Sequence, residues 1–143
     1  MIDALRTASL ALAFDLRKRE IVEVLRQLVE RESPTDEPER VSSLAGWTAA
    51  WLKEAGIDAR TIACPPSGDA LVAQWGAGEG GTLLLGHLDT VWPVGTLSEI
   101  PFAIEGDRLR GPGVFDMKAG TAVALTVLAA VGRGEVVPKR PVS

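Results

Sequence analysis

Two stretches near the start of the chain repeat apolar residues every three or four positions. "DLRKREIVEVLRQLVERES" sets six of them between charges and predicts an amphipathic helix, which Pro34 and Pro38 bring to an end. "RVSSLAGWTAAWLKEAG" predicts a second helix that ends at Gly56. Its Trp47 and Trp51 are four residues apart and therefore share a face, which we interpret as core packing.

From Ile57 the pattern changes to short β-type runs. "IDARTIA", "ALVAQW" and "TLLLGHLD" predict three strands, and the third is almost wholly apolar, as expected of a strand covered on both faces. "FAIEGDRLRG" predicts a hairpin with a Gly-Asp turn. "KAGTAVALTVLAAVGRG" predicts a buried helix that is too short to span a membrane. Helices flanking strands predict an α/β sandwich.

Composition narrows the functional classes. The 143 residues are enough for one domain, and a net charge of −4 with no basic cluster argues against a nucleic-acid partner. The single cysteine, Cys64, excludes an internal disulfide framework, and we expect it to be a small hydrophobe at a strand end.

Membrane and export signals are weak. We find no apolar run of the roughly 18 residues that a membrane span needs, so no membrane partner is expected. "ASLALAF" near the start could be a signal-peptide core or the first turns of a helix. We favour the helix, and with it a cytoplasmic location over a secreted or periplasmic one.

A glycine pattern suggests nucleotide binding but lacks the required context. "GAGEGG" matches G-x-G-x-x-G, yet the third glycine of a dinucleotide site opens a helix, whereas here a strand pattern follows at once. We interpret the glycines as a turn between strands.

The only histidine lies at the end of the third apolar run. His87 and Asp89 are two residues apart, so on a strand both side chains point to one face. Imidazole is a good zinc ligand, and a nearby carboxylate can fix its tautomer. Taken alone, so short a pattern is more often a hydrogen-bonded pair or a chance occurrence than a metal site.

A second acidic residue precedes the apolar helix. Asp116 lies in "GPGVFDMKAG", where it could be the helix N-cap or a carboxylate that bridges two metal ions. In the second interpretation Gly111 and Gly113 let the backbone approach the metal closely. The residues alone do not decide between the two.

Together these motifs resemble a known family. "LLLGHLDTVWPVGT" followed by "PFAIEGDRLRGPGVFDMKAGTAVAL" is similar to the dinuclear zinc hydrolases that include glutamate carboxypeptidase, aminoacylase, acetylornithine deacetylase and succinyl-diaminopimelate desuccinylase. The glutamate carboxypeptidase branch is the most similar. "VERESPTDEPE" resembles a further segment of that family, so the resemblance covers roughly residues 20–143.

The resemblance implies a three-layer α/β/α catalytic domain and a role for each motif residue. It implies His87 as a ligand of one zinc ion and Asp116 as the carboxylate that bridges two. It implies Asp89 as the active-site carboxylate that orients His87, and a cis peptide between Asp116 and Met117. The substrate class is a small peptide or an N-acyl amino acid.

The family's site also needs groups that we do not find in these residues. In the family a glutamate base, further metal ligands, a second histidine and a lid domain that mediates dimerisation lie further along the chain. Glu135 is the only acid after Asp116, and we do not assign it as the base. We therefore expect residues 1–143 to be the N-terminal portion of the catalytic domain, without the family-type homodimer and inactive alone.

Three functions follow as alternatives. We expect a zinc-dependent peptidase that cleaves an amide bond next to a free carboxylate, as a carboxypeptidase acting on a C-terminal acidic residue does. An N-acyl-amino-acid deacylase of the same family is the second interpretation. A non-catalytic truncated relative, acting as a binding module or without function, is the third.

Overall fold

The computed structural model describes residues 4–143, together with the side chains of residues 9, 11 and 12 and those from residue 15 onward. Its helices are α1 (Ala4–Glu30), α2 (Pro38–Glu54), the single-turn α3 (Thr96–Glu99) and α4 (Ala119–Gly132). Its strands are β1 (Asp58–Ile62), β2 (Ala70–Gln74), β3 (Ala103–Glu105) and β4 (Arg108–Arg110). A π-helical turn over Val114–Lys118 leads into α4.

The two predicted amphipathic helices are confirmed, and the first is longer than predicted. The backbone of α1 begins at Ala4, so it includes the "ASLALAF" stretch, although most side chains of that stretch lie outside the described residues. Together α1, α2 and α4 bury a continuous apolar core. Its members are Val24, Leu25, Leu28, Val29, Leu44, Ala49, Leu52, Ile57, Ala59, Ala122, Leu125 and Leu128.

The end of α2 shows why a glycine follows it. Gly56 has a φ of +85°, a conformation that residues with a side chain rarely adopt. A Cβ atom there would also lie 2.9 Å from the carbonyl oxygen of Gly132 at the end of α4. Gly56 therefore stops α2 and lets α2 and α4 end close together, as the predicted C-cap requires.

The predicted hairpin forms, and the first two predicted strands pair as a second hairpin that was not predicted. β1 pairs antiparallel with β2 from Asp58↔Gln74 to Ile62↔Ala70, and β3 pairs antiparallel with β4 around the turn at Gly106. The prediction that Cys64 is a small hydrophobe at a strand end is wrong, because Cys64 lies two residues beyond β1 and is exposed. The loop that carries it turns through a cis bond between Pro65 and Pro66.

The third predicted strand is the main difference between prediction and structure. Residues 83–89 form no ladder, and only Thr82 and Thr90 at the two ends make isolated bridges, with Val142 and Pro34. Leu83 and Leu85 are mostly exposed rather than covered on both faces. An apolar run becomes a strand only when neighbouring backbone pairs with it, and the described residues supply such neighbours only at its ends.

The apolar helix before the end of the chain is confirmed in place and type. α4 buries Ala122, Leu125, Thr126, Leu128, Ala129, Ala130 and Val131. By length and composition the segment Val114–Gly132 is sufficient to cross a membrane, so the expectation that no run is long enough was too strict. Its contacts with α1 and α2 are those of a core helix.

Candidate metal centre

Two motifs that are distant in the sequence place the side chains of His87 and Asp116 beside each other. His87 lies near the end of the extended segment 83–89, and Asp116 lies in the π-helical turn before α4. His87 Nε2 is 3.0 Å from Asp116 Oδ1, although the two residues are 29 positions apart. Both side chains are substantially exposed, so this pair faces solvent rather than the core.

The other side of the imidazole is held by Asp89. His87 Nδ1 lies 2.9 Å from the backbone oxygen of Asp89 and 3.3 Å from its carboxylate Oδ1. The hydroxyl of Thr35 donates to Asp89 Oδ2 at 2.6 Å and so fixes the carboxylate in turn. Asp89 therefore contacts His87 Nδ1 through its backbone oxygen and its carboxylate, and Thr35 holds that carboxylate in place.

The pKa of His87 reflects these contacts. Partial burial lowers it, but the hydrogen bonds to the Asp116 carboxylate and the Asp89 backbone, with the charges of both aspartates, raise it above its ordinary value. Oxygen atoms therefore face both ring nitrogens. On the Asp116 side, a bound cation could take the place of the proton that Nε2 shares with that carboxylate.

The structure also decides between the two interpretations of Asp116 as a helix cap or a site residue. Helix α4 begins at Ala119, its N-cap is Lys118, and no side chain caps it. Asp116 has non-helical φ and ψ angles of −125° and 100°, and its carboxylate points to His87. The N-cap interpretation is therefore wrong. The peptide between Asp116 and Met117 is cis, as the resemblance implies.

The glycines of the same turn allow it to pack tightly against neighbouring segments. Gly113 has a φ of +69°, and a Cβ atom there would lie 2.5 Å from Thr90 Cγ2. A Cβ atom at Gly111 would likewise lie very close to side-chain atoms of Val29 and Val114. These glycines let the turn pack against the end of the extended segment and against α1, and that packing brings Asp116 to His87.

Sequence reasoning missed two supports of the site. Lys118 is buried, and its Nζ donates to the carbonyl oxygens of Leu28 at 2.7 Å and Arg31 at 2.9 Å. Burial lowers the pKa of Lys118 to about 8, against the opposing effect of the Glu32 charge. This lysine ties the start of α4 to the end of α1, and no local sequence pattern marks it.

The second support is the segment after α1. Ser33 Oγ donates to the Leu88 carbonyl at 2.8 Å, the Thr90 N–H donates to the Ser33 carbonyl, and the Thr35 N–H donates to the Thr90 carbonyl. The "ESPT" residues thus clamp the chain on either side of Asp89. Their place in the "VERESPTDEPE" segment was the available signal, although no local pattern assigns these residues a role.

The donor set fits part of a metal site. Neutral imidazole and carboxylate oxygen are ordinary zinc ligands, and His87 Nε2 and Asp116 Oδ1 converge with the ring held from behind. Among the described residues no group of three or more His, Cys, Asp or Glu side chains could hold a metal ion. Glu135 does not contribute, because Arg17 and Arg133 pair with it and lower its pKa.

Comparisons with known proteins agree with the motifs. Residues 83–143 match the model of peptidase family M20/M25/M40. Carboxypeptidase G2 of Pseudomonas sp. (strain RS-16) is 35% identical over 114 residues, which are 76% of this chain and 27% of that protein. Acetylornithine deacetylase of Vibrio atlanticus (strain LGP32) is 38% identical over 73 residues, 49% of this chain and 19% of that protein.

A solved structure agrees on the fold. Human carnosine dipeptidase 1 superposes with a TM-score of 0.75 over 92% of this chain and 32% of its own, at 18% sequence identity. This likeness confirms the predicted α/β class. The chain spans about a quarter of carboxypeptidase G2, the relative with the longer match.

Proposed function

Residues 83–143 place this chain in peptidase family M20/M25/M40, and from that premise we propose that it forms the N-terminal, metal-binding part of a zinc-dependent hydrolase. The observation that carries the proposal is the convergence of His87 and Asp116 from two motifs that are distant in sequence. A histidine that merely stabilised the fold would have no need of an exposed carboxylate on its free nitrogen.

For the complete protein we propose hydrolysis of an amide bond next to a free carboxylate. Carboxypeptidase action on a C-terminal acidic residue is the first choice, supported by the match to carboxypeptidase G2 over three quarters of the chain. Removal of an N-acyl group from an amino acid is the second, supported by the match to acetylornithine deacetylase. The substrate is accordingly a small peptide or an N-acyl amino acid.

Each site residue has a separate role in this proposal. His87 and Asp116 would hold zinc, the two carboxylate oxygens of Asp116 would allow it to bind more than one ion, and Asp89 contacts His87 Nδ1, on the side of the ring away from Asp116. Bound zinc supplies Lewis acidity to a reacting carbonyl and lowers the pKa of water. Thr35 and Lys118 act through the residues that they hold and touch no substrate.

We further propose that residues 1–143 are inactive by themselves. A catalytic zinc ion usually has three protein ligands, whereas His87 and Asp116 supply two. Loss of a positioned general base costs a further factor of roughly 10² to 10⁴ in rate. Among the described residues only Asp89 and Asp116 bring a carboxylate to His87.

The test uses the full reading frame that encodes this sequence. Its purified product should hydrolyse N-acyl glutamate or a peptide with C-terminal glutamate, lose activity with a chelator and regain it with zinc. His87→Ala and Asp116→Ala should abolish turnover, whereas Asp107→Ala, in an exposed turn, should not. Chelator-sensitive turnover by residues 1–143 alone would contradict the proposed inactivity, and activity that survives His87→Ala would contradict the site.

A further inference from the structure

The peptide group between Asp89 and Thr90 faces His87 on one side and the segment after α1 on the other. Its carbonyl oxygen, which belongs to Asp89, lies 2.9 Å from His87 Nδ1. Its N–H, which belongs to Thr90, donates to the Ser33 carbonyl at 2.8 Å. Because a peptide group is planar, the bond to Ser33 also fixes the direction in which the Asp89 oxygen points. Ser33 thus holds the first of the oxygen atoms that face Nδ1.

The peptide group on the other side of Asp89 is held by the same residue. The Ser33 hydroxyl donates to the Leu88 carbonyl at 2.8 Å, and Ser33 is itself fully buried. The backbone of Asp89 is therefore fixed on both sides, and the freedom that remains to this residue is the rotation of its side chain.

Thr35 restricts that rotation. Its hydroxyl donates to Asp89 Oδ2 at 2.6 Å, while the other carboxylate oxygen, Oδ1, lies 3.3 Å from His87 Nδ1. The backbone of Thr35 is fixed in turn, because its N–H donates to the Thr90 carbonyl at 2.9 Å. Residues 33–35 therefore set the positions of both Asp89 oxygen atoms that face Nδ1, one from the backbone and one from the side chain.

These contacts bear on which nitrogen of His87 carries the proton. Neutral imidazole has one N–H, and aspartate oxygens face both of its nitrogen atoms. Asp116 Oδ1, 3.0 Å from Nε2, competes for that proton with the two Asp89 oxygens at Nδ1. A metal ion binds the lone pair of an unprotonated nitrogen, and the hydrogen bond made by the other nitrogen decides which one that is. Binding through Nε2 therefore requires the proton on Nδ1.

We propose that residues 33–35 hold His87 in the tautomer protonated at Nδ1, and that Thr35 is a positioning residue of the metal site, acting through Asp89. Acceptors that are already oriented bind the Nδ1 proton more favourably than a freely rotating carboxylate does, because no side-chain entropy is lost. The inference rests on the proposed function in one respect, namely that a metal ion uses the free Nε2. The preference for one tautomer exists in the metal-free chain as well.

The experiment compares two substitutions of Thr35. Thr35→Val keeps the shape of this exposed side chain and removes its hydroxyl, whereas Thr35→Ser keeps the hydroxyl. Thr61→Val, at an exposed position of β1, is the matched control. The single histidine lets ¹⁵N NMR measure the ratio of the two tautomers in the metal-free chain at alkaline pH, where imidazole is neutral. Zinc titration at neutral pH measures affinity, and urea unfolding compares the stability of the variants.

The expected result separates positioning from general stability. Thr35→Val should raise the share of the Nε2-protonated tautomer at least about twofold and weaken zinc binding about three- to tenfold. This loss is below the roughly 10- to 100-fold typical of a residue that contacts the metal ligand itself, because the Asp89 backbone oxygen remains. Thr35→Ser and Thr61→Val should both behave as the unmodified chain does.

Two results would overturn the proposal. One is an unchanged tautomer ratio or, in a chain that binds zinc, an unchanged affinity in Thr35→Val. The other is a loss of zinc binding that Thr35→Ser shares, since that variant retains the hydroxyl. If the unmodified chain bound no zinc, the proposed function would be contradicted, and the tautomer ratio would still decide whether Thr35 positions His87.

Discussion

Helix α4 and the segment 83–88 both consist largely of apolar residues, yet α4 is mostly buried and the segment is mostly exposed. Leu125 of α4 is 4% exposed, whereas Leu85 is 85% exposed. Composition does not explain the difference, since both stretches are almost wholly apolar. α4 has α1 and α2 to pack against, whereas the segment lacks a neighbour along most of its length.

The two regions are consequently held by different forces. Burial of apolar surface fixes α4, and this contribution is spread over many contacts. The segment is fixed by backbone hydrogen bonds at its two ends, with residues 141–143 at one and residues 33–35 at the other. The second anchor, together with Leu88 packed against the core, therefore positions His87 and Asp89.

The largest expected effect separates the two regions directly. Leu125→Ala removes a buried side chain and should lower the free energy of unfolding by about 2–5 kcal/mol. Leu85→Ala removes an exposed one and should change it by no more than about 0.5 kcal/mol. Urea unfolding followed by tryptophan fluorescence measures both, and equal losses would show that the segment is packed after all.

The next effect probes the contact between the two regions. Gly113→Ala should cost about 1–3 kcal/mol more than Gly106→Ala, because both positions have positive φ but only Gly113 lies against Thr90. Thr90→Ala removes the clashing methyl group and should restore most of that difference. If Gly113→Ala and Gly106→Ala cost the same in urea unfolding, then close approach to Thr90 is not the reason for this glycine.

A smaller effect tests the anchor of the segment. Ser33→Ala removes the donor to the Leu88 carbonyl, which is then left without that partner, and should cost about 1–2 kcal/mol. Faster amide exchange at Thr90 should accompany the loss. Ser43→Ala, on the exposed side of α2, is the matched control and should leave both quantities unchanged.

The smallest effect depends on pH. Burial raises the pKa of Glu32, but the N–H groups of Gly95 and Leu97 that donate to it outweigh this, so its pKa lies below the ordinary value of 4.5. The stabilisation of the turn is therefore complete above pH 4.5 and is lost as the pH falls through the lowered pKa. Protection of the Gly95 and Leu97 amides, measured relative to their intrinsic exchange rates at each pH, should fall over that range, and Glu32→Gln should abolish this pH dependence.

The sequence predicts those helices and strands whose determining residues lie close together along the chain. Helices α1 and α2 follow from periodicity, α4 follows from its long apolar run, and the hairpin of β3 and β4 follows from its Gly-Asp turn. The strand predicted at residues 82–89 failed because pairing depends on distant backbone, which periodicity does not reveal. Asp116 could not be separated from an N-cap for the same reason, since its partner is His87 across the fold.

The site was predictable only through the combination of motifs. His87, Asp89 and Asp116 were named from short patterns, and the resemblance supplied the cis peptide that the structure confirms. Lys118 and Thr35 were missed because each acts on an atom more than 50 positions away, the Leu28 carbonyl and the Asp89 carboxylate. Such long-range polar contacts leave no periodic trace in a sequence.

The central claim, that His87 and Asp116 form one metal-binding pair, is tested most directly by zinc titration of the ¹⁵N-labelled chain. The single histidine gives one Nε2 and one Nδ1 resonance, and zinc should shift Nε2 while Nδ1 keeps its proton on Asp89. Asp116→Ala should weaken this binding at least about tenfold, and Asp107→Ala should leave it unchanged. Zinc binding through Nδ1, or binding that Asp116→Ala does not weaken, would contradict the account.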